Sequence, residues 1–163
     1  MKTSVFLLKN TPNDLWAVSA RDPMARDQLR EQAKNTSSDY SLPTFCVLIA
    51  YVDQLHNFVQ HVPSLAWELL EYAQEPLEIM YPERKLSLSG DEDAPKICVR
   101  WAKHPKLLKF LQKEGPVWTT PAFLNTRDQR FSYTTIDCYD KNYPYEKVKT
   151  VVINADDTFT FIR

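Results

Sequence analysis

Between Lys96 and Lys113 the chain carries six lysines and arginines and no aspartate or glutamate. Arg100 sits inside the apolar run Ile97-Cys-Val-Arg-Trp101, Lys103 and His104 follow it at a turn, and Lys106, Lys109 and Lys113 recur at helical spacing. Guanidinium and ammonium groups gathered this way suit phosphate or carboxylate, and Arg100 with Lys103 and Lys106 are the leading candidates for such contacts. The same residues also fit a plainer account, with the lysines on a solvated helix face and Arg100 paired to an acidic neighbour. Thr119 and Thr120 add two hydroxyls on a strand-like stretch, where β-forming propensity alone also accounts for them. Lys34 is a further candidate cation, although a lysine at a helix C-terminus equally complements the helix dipole.

Other chemistries find no footing. Cys46, Cys98 and Cys138 contain no CxxC pair, and His56, His61 and His104 do not combine with them at zinc-like spacing, so no metal site is expected and the thiols read as buried and structural. With glycine only at 90 and 115, neither GxxxxGK[ST] nor GxGxxG can be drawn, which excludes Walker-type and dinucleotide loops. No Gly-x-Ser-x-Gly elbow occurs, so no catalytic residue is assigned. The formal charge of -1 gives no global pull toward nucleic acid or membrane, and any basic site must be local. Acidic residues gather instead between Glu68 and Asp93. No apolar run approaches the roughly 20 residues of a membrane span. Val5 to Leu8 reads as a first strand rather than a secretory leader, and a cytoplasmic location is expected.

Several elements must hold these groups. Strands are expected at Val5–Leu8, Leu15–Val18, Thr44–Ala50, Leu77–Met80, Leu86–Leu88, Lys96–Trp101, Val117–Thr120 and Phe131–Asp137, with a closing hairpin from Val151 to Ile162. Asp22-Pro23 caps a helix reaching about Lys34, and further helices are expected over Val52–Gln60, from Pro63-Ser64 onward, and from Pro105, whose Leu107, Leu108 and Leu111 share one face. Ser89–Pro95 and Asp140–Tyr145 read as linkers, and the four tryptophans read as core. Strands and helices alternate imperfectly, so the expected class is α/β (α+β), a twisted mixed sheet with packed helices in one domain from Met1 to Arg163.

The segment from Lys96 to Leu111 and then Gly115-Pro-Val-Trp-Thr-Thr120 resembles the YrdC/YciO-like family. That family carries a V-x-R strand, an H-P turn, a leucine-bearing helix, then G-x-P-L and a strand leading into T-S-A-N. Val99, Arg100, His104, Pro105, Pro116 and Thr120 fall in that order, with the residue between Gly115 and Pro116 missing. Leu15-Trp-Ala-Val18, Glu75 to Tyr81, Ser89-Gly90 and Lys149 to Asn154 match other family segments in sequence order. The resemblance implies a twisted mixed sheet with a concave, positively charged surface that takes nucleotide or double-stranded RNA. It also implies kinship with threonylcarbamoyl-AMP synthases, which use threonine, bicarbonate and ATP for a tRNA modification.

The departures from the family pattern fall on its polar contacts. Thr11-Pro-Asn-Asp14 stands where the family has P-T-D-T, and Lys34-Asn-Thr36 stands where it has K-x-R, so one guanidinium is gone. Thr120-Pro-Ala-Phe-Leu-Asn125 puts Pro121 and Phe123 in place of the family's Ser and Asn. Proline has no N–H to give and phenylalanine has no hydrogen-bonding group. The expectation is a binding domain for RNA (double-stranded RNA or tRNA) or nucleotide (ATP or AMP, held weakly), with catalysis weak or lost. Lys34, Arg100, Lys103, Lys106, Thr119 and Thr120 would be its contacts. An active adenylate-forming enzyme on another substrate, or an interaction module without ligand, are the alternatives.

Overall fold

Asp22 accepts the Ala25 backbone N–H on Oδ1 at 3.1 Å, the cap expected of an aspartate before proline, and helix α1 runs over Pro23–Thr36. The computed structural model describes residues 4–11, 14–36, 45–85, 96–121, 132–143 and 148–161. Its strands are β1 (Val5–Lys9), β2 (Leu15–Ser19), β3 (Cys46–Ile49), β4 (Leu77–Tyr81), β5 (Ile97–Trp101), β6 (Val117–Pro121), β7 (Tyr133–Asp137), β8 (Lys149–Ile153) and β9 (Phe159–Phe161). Helices α2 (Ser64–Tyr72) and α3 (Pro105–Glu114) complete the set, with a 3₁₀ turn over Val52–Asn57. The strand expected at Leu86–Leu88 and the linker at Ser89–Pro95 lie outside the described residues, as does Phe131 at the expected start of β7.

All nine strands join one mixed sheet in the order β7-β1-β2-β6-β3-β5-β4-β8-β9. Pairs β1/β7, β3/β5 and β4/β8 are parallel, and the rest are antiparallel. Side chains alternate between its faces. On β5, Ile97, Val99 and Trp101 join the core that α1 and α2 cover, with Ala25, Leu29, Ala66 and Leu70 packed among Val47, Ile49, Ile79 and Trp118. On the other face α3 lays Leu107, Phe110 and Leu111 on Leu8, Leu15, Ala17, Leu48 and Val117. Cys98 and Arg100 alternate with the first set along β5, which turns them toward the face that α3 covers in part. Trp16 and Trp118 are buried, and Trp67 and Trp101 pack partly buried against the first core.

One expected element differs. The helix read over Val52–Gln60 is the short 3₁₀ turn Val52–Asn57. Gln54 Oε1 accepts the N–H groups of Ala50 and Tyr51, each at 3.0 Å, which tightens the entry. Beyond it, Gln60 donates to the Glu83 carbonyl at 3.0 Å and Lys85 donates to that of Phe58 at 2.8 Å. Pairing with the segment after β4 therefore takes the backbone groups that another helical turn would have used.

Candidate anion-binding cavity

β5 ends at Trp101, and the short link Ala102-Lys103-His104 turns directly into α3. Pro105 occupies the first helical position, and His104 caps the helix by accepting the Lys106 N–H on Nδ1 at 3.2 Å. This local chemistry sets the start of α3 beside the end of β5. There it meets the turn after β1 and the loop after β7 around a cavity of about 370 Å³. Asn10, Thr11, Arg100, Lys103, His104, Leu107, Asp140 and Lys141 are among its walls. Asn10 makes the turn after β1 with a φ of 65°, a left-handed conformation that asparagine tolerates.

Arg100 is the unusual wall. Its side chain is 3% exposed, and Nη1 donates to the Thr11 carbonyl at 2.8 Å. Nε and Nη2 are buried and have no hydrogen-bond partner among the described residues. Glu78 stands opposite Arg100 in the β4/β5 register, yet among the described residues Arg100 makes no ion pair. The plainer account, an acidic partner for this guanidinium, has Glu78 as its neighbour on β4, without an ion pair between the two. Each unsatisfied buried donor costs about 1–3 kcal/mol.

Lys103 also lines the cavity. Its Nζ donates to the Ala73 carbonyl and lies 5.3 Å from the centre of the Trp101 ring, and burial pulls the ammonium below its ordinary value. Lys106 stands outside the wall and donates to the Tyr139 carbonyl at 2.5 Å, so it holds the loop after β7 in place. Lys109 and Lys113 are exposed along α3. Thr119 donates to the Cys46 carbonyl at 2.9 Å on one face of β6, while Thr120 is buried in the next position, its hydroxyl without a partner among the described residues. Consecutive strand residues face opposite ways, so these two threonines cannot serve one pocket. Lys34 lies in the backbone of α1, with its side chain outside the described residues, as Phe123 is altogether. The structure thus brings together Arg100 and Lys103 from the nominated set and adds Thr11, His104, Asp140 and Lys141. The last two sit in a stretch that reads as a linker in sequence, where no periodicity marks it.

His104 is 6% exposed, and its ring lies 4.5 Å from that of Tyr143. Burial, with the charges of Lys106 and Arg100, holds its pKa below the ordinary 6.5 despite the opposing pull of Asp140. A histidine depressed in this way stays neutral when folded but takes up a proton when unfolded. Its stabilising share is complete above about pH 6.5 and is lost as the pH falls from there to the lower folded value. Stability measured by urea titration is expected to decline through that window, and His104→Asn should flatten the decline. An unchanged slope in the variant would show that the imidazole does not drive it.

The sheet also juxtaposes groups that sequence spacing kept apart. Cys46 on β3 and Cys98 on β5 are buried with their Sγ atoms 3.1 Å apart, and a carboxylate oxygen of Glu78 lies within 4.8 Å of both sulfurs. Cys138 is buried elsewhere, under α3, where desolvation pushes its thiol up to about 11.

No family model and no curated protein matches the sequence. Solved structures do resemble the fold. Sua5 from P. abyssi superposes with a TM-score of 0.72 at 15% identity, over 98% of this chain and 49% of that one. YciO from E. coli gives 0.69 at 15% identity over 99% of this chain and 82% of that one. HypF in its phosphate- and nucleotide-bound form gives 0.65 at 14% identity, over 98% of this chain and 26% of that one. The chain therefore spans about half the length of the Sua5 chain and about a quarter of HypF. Among the described residues no helix is long and apolar enough to cross a membrane. The order of nine strands in one mixed sheet, the helices on it and these superpositions together identify the architecture as a YrdC/YciO-like fold.

Proposed function

We propose that this chain binds a phosphate-bearing nucleotide or RNA in the cavity at the end of β5, with the adenylate-forming chemistry of active YrdC-like enzymes weak or lost. The observation that carries this reading is the buried Arg100 guanidinium, whose Nε and Nη2 have no partner among the described residues. Two N–H groups of one rigid plane can grip two oxygens of a phosphate or carboxylate. Lys103 and Lys141 add positive charge, the start of α3 adds its partial charge, and Asp140 subtracts some. The volume, about 370 Å³, falls within the range of small-ligand pockets, roughly 300–1,000 Å³, and so favours a free nucleotide such as AMP. The structural relative HypF was solved with phosphate and nucleotide, and a Sua5 structure with L-threonine, which supports a small polar ligand for the shared fold.

A duplex RNA is favoured by a separate observation, the exposed Lys109 and Lys113 along α3. Through the family resemblance that ligand carries a connection to tRNA modification and a place in the cytoplasm. The two ligands separate in one experiment. AMP should raise the melting temperature, because a ligand that prefers the folded state stabilises it by RT ln(1 + [L]/Kd), about 2.7 kcal/mol at 100 times Kd. Duplex RNA retention should fall steeply with salt. No thermal shift at millimolar AMP, together with no RNA retention at low salt, would overturn the proposal and leave an interaction module. ATP turnover stimulated by an amino acid would point instead to an active enzyme with another substrate.

A further inference from the structure

We propose that Cys46, Cys98 and Glu78 form a binding site for one soft divalent cation of the zinc class. The inference does not rest on the nucleotide reading, since it uses a different set of side chains. Three neighbouring strands supply the ligands. Parallel pairing aligns Val47 with Val99 and so sets Cys46 beside Cys98, and antiparallel pairing of β4 with β5 brings Glu78 in opposite Arg100. Both thiols are free and buried, at 5% and 3% exposure, and Glu78 is half-buried.

The distances suit coordination. Zinc–sulfur bonds of about 2.3 Å at tetrahedral angles set two thiolates roughly 3.8 Å apart. The present 3.1 Å separation needs less than about 1 Å of opening, well within χ1 adjustment on two strands. At 3.1 Å the two sulfurs are not bonded to each other, a disulfide bond being about 2.05 Å long. A carboxylate oxygen within 4.8 Å supplies the third ligand, and the fourth position remains for water or an exogenous group. Supporting contacts orient the ligands from outside. The Thr150 hydroxyl is 3.4 Å from Glu78 Oε2, and Thr119 holds the Cys46 carbonyl at 2.9 Å.

Charge balance favours the exchange. Two thiols release two protons as two metal–sulfur bonds form, so one divalent cation replaces two protons and the charge of the buried group is unchanged. The charges of Glu78 and Arg100 act on both sulfurs in opposite senses. Soft thiolate ligands select zinc-like ions over magnesium or calcium. Desolvation raises the Cys46 thiol while its contact with Cys98 lowers it, and that contact and desolvation both raise Cys98, so cation uptake has to displace both protons and should tighten as the pH rises.

Cobalt(II) is the probe, because thiolate ligation gives an intense charge-transfer absorption that hard ligands do not. Reduced protein titrated with cobalt under argon should develop this band to one equivalent, and zinc should bleach it. Cys46→Ser and Cys98→Ser should each abolish the two-sulfur band, Glu78→Gln should weaken cobalt affinity at least about 10-fold, and Cys138→Ser should leave the titration unchanged. Circular dichroism confirms that each variant folds, and if the cysteine variants do not, Glu78→Gln decides alone. No band in the wild type, a band that survives Cys46→Ser, or unaltered affinity in Glu78→Gln would overturn the proposal. So would a wild-type protein that takes up no cobalt but loses two thiols to hydrogen peroxide, with water as the other product, since that result assigns the pair to redox chemistry.

Discussion

Replacing Arg100 with methionine is expected to leave the protein at least as stable as the parent while lowering its affinity for AMP about 10- to 100-fold. The two halves of this result have one cause. Arg100 is 3% exposed, and among the described residues its guanidinium donates to the Thr11 carbonyl while Nε and Nη2 have no partner. Substituting methionine forfeits that hydrogen bond, worth about 1 kcal/mol, but removes a buried charge and two orphaned donors. Exchanging buried ionic groups for packed apolar ones is often neutral or stabilising by about 1–4 kcal/mol. The ligand loses charge-assisted hydrogen bonds worth about 1.5–3 kcal/mol, which is the stated loss of affinity. Urea titration and calorimetry with AMP read the two effects separately. A variant less stable by more than about 3 kcal/mol would show that Arg100 serves the fold, and unchanged AMP affinity would remove it from the site.

Supplied with threonine, bicarbonate and ATP, the purified protein is expected to yield no threonylcarbamoyl-AMP by mass spectrometry. Pro121 ends β6 opposite Leu15 and has no N–H to offer at the place where the resemblance to the YrdC/YciO-like pattern puts serine. Thr36 follows Lys34 and Asn35 where that pattern has arginine, so by the same resemblance a permanent charge with a bidentate fork is missing. Phe123, in place of asparagine, removes an amide. Three lost polar contacts at about 1–3 kcal/mol each amount to a deficit of roughly 10² to 10⁶ in transition-state binding. A clear product would show that other groups hold the nucleotide in reactive geometry. Retained AMP binding without product is the combination that the cavity and these replacements jointly predict.

Much of the fold was legible in residue order. Asp22-Pro23 and His104-Pro105 announce helix starts through capping and the fixed φ of proline, and both helices begin there. The apolar runs at 46–49, 97–101 and 117–121 are strands because continuous β-forming stretches bury both faces. The basic run likewise pointed to Arg100 and Lys103, since clustered cations without acids are visible in any linear reading.

What was not legible depends on which strands become neighbours. Nothing in the spacing of Cys46, Glu78 and Cys98 signals that β3, β5 and β4 lie side by side, because ladder pairing is a long-range choice made by burying two sheet faces at once. The Val52–Asn57 segment is 3₁₀ because the chain after β4 competes for its backbone groups, and that competitor stands more than 20 residues away. Lys106 looks like a ligand contact in sequence yet holds the Tyr139 carbonyl, because the loop after β7 comes to rest on the start of α3. Local periodicity, capping and charge act over a few residues and were written plainly in the chain. The burial of the Arg100 guanidinium against the Thr11 carbonyl and the meeting of two thiols with a carboxylate arise from packing between distant segments, and no local pattern encodes them.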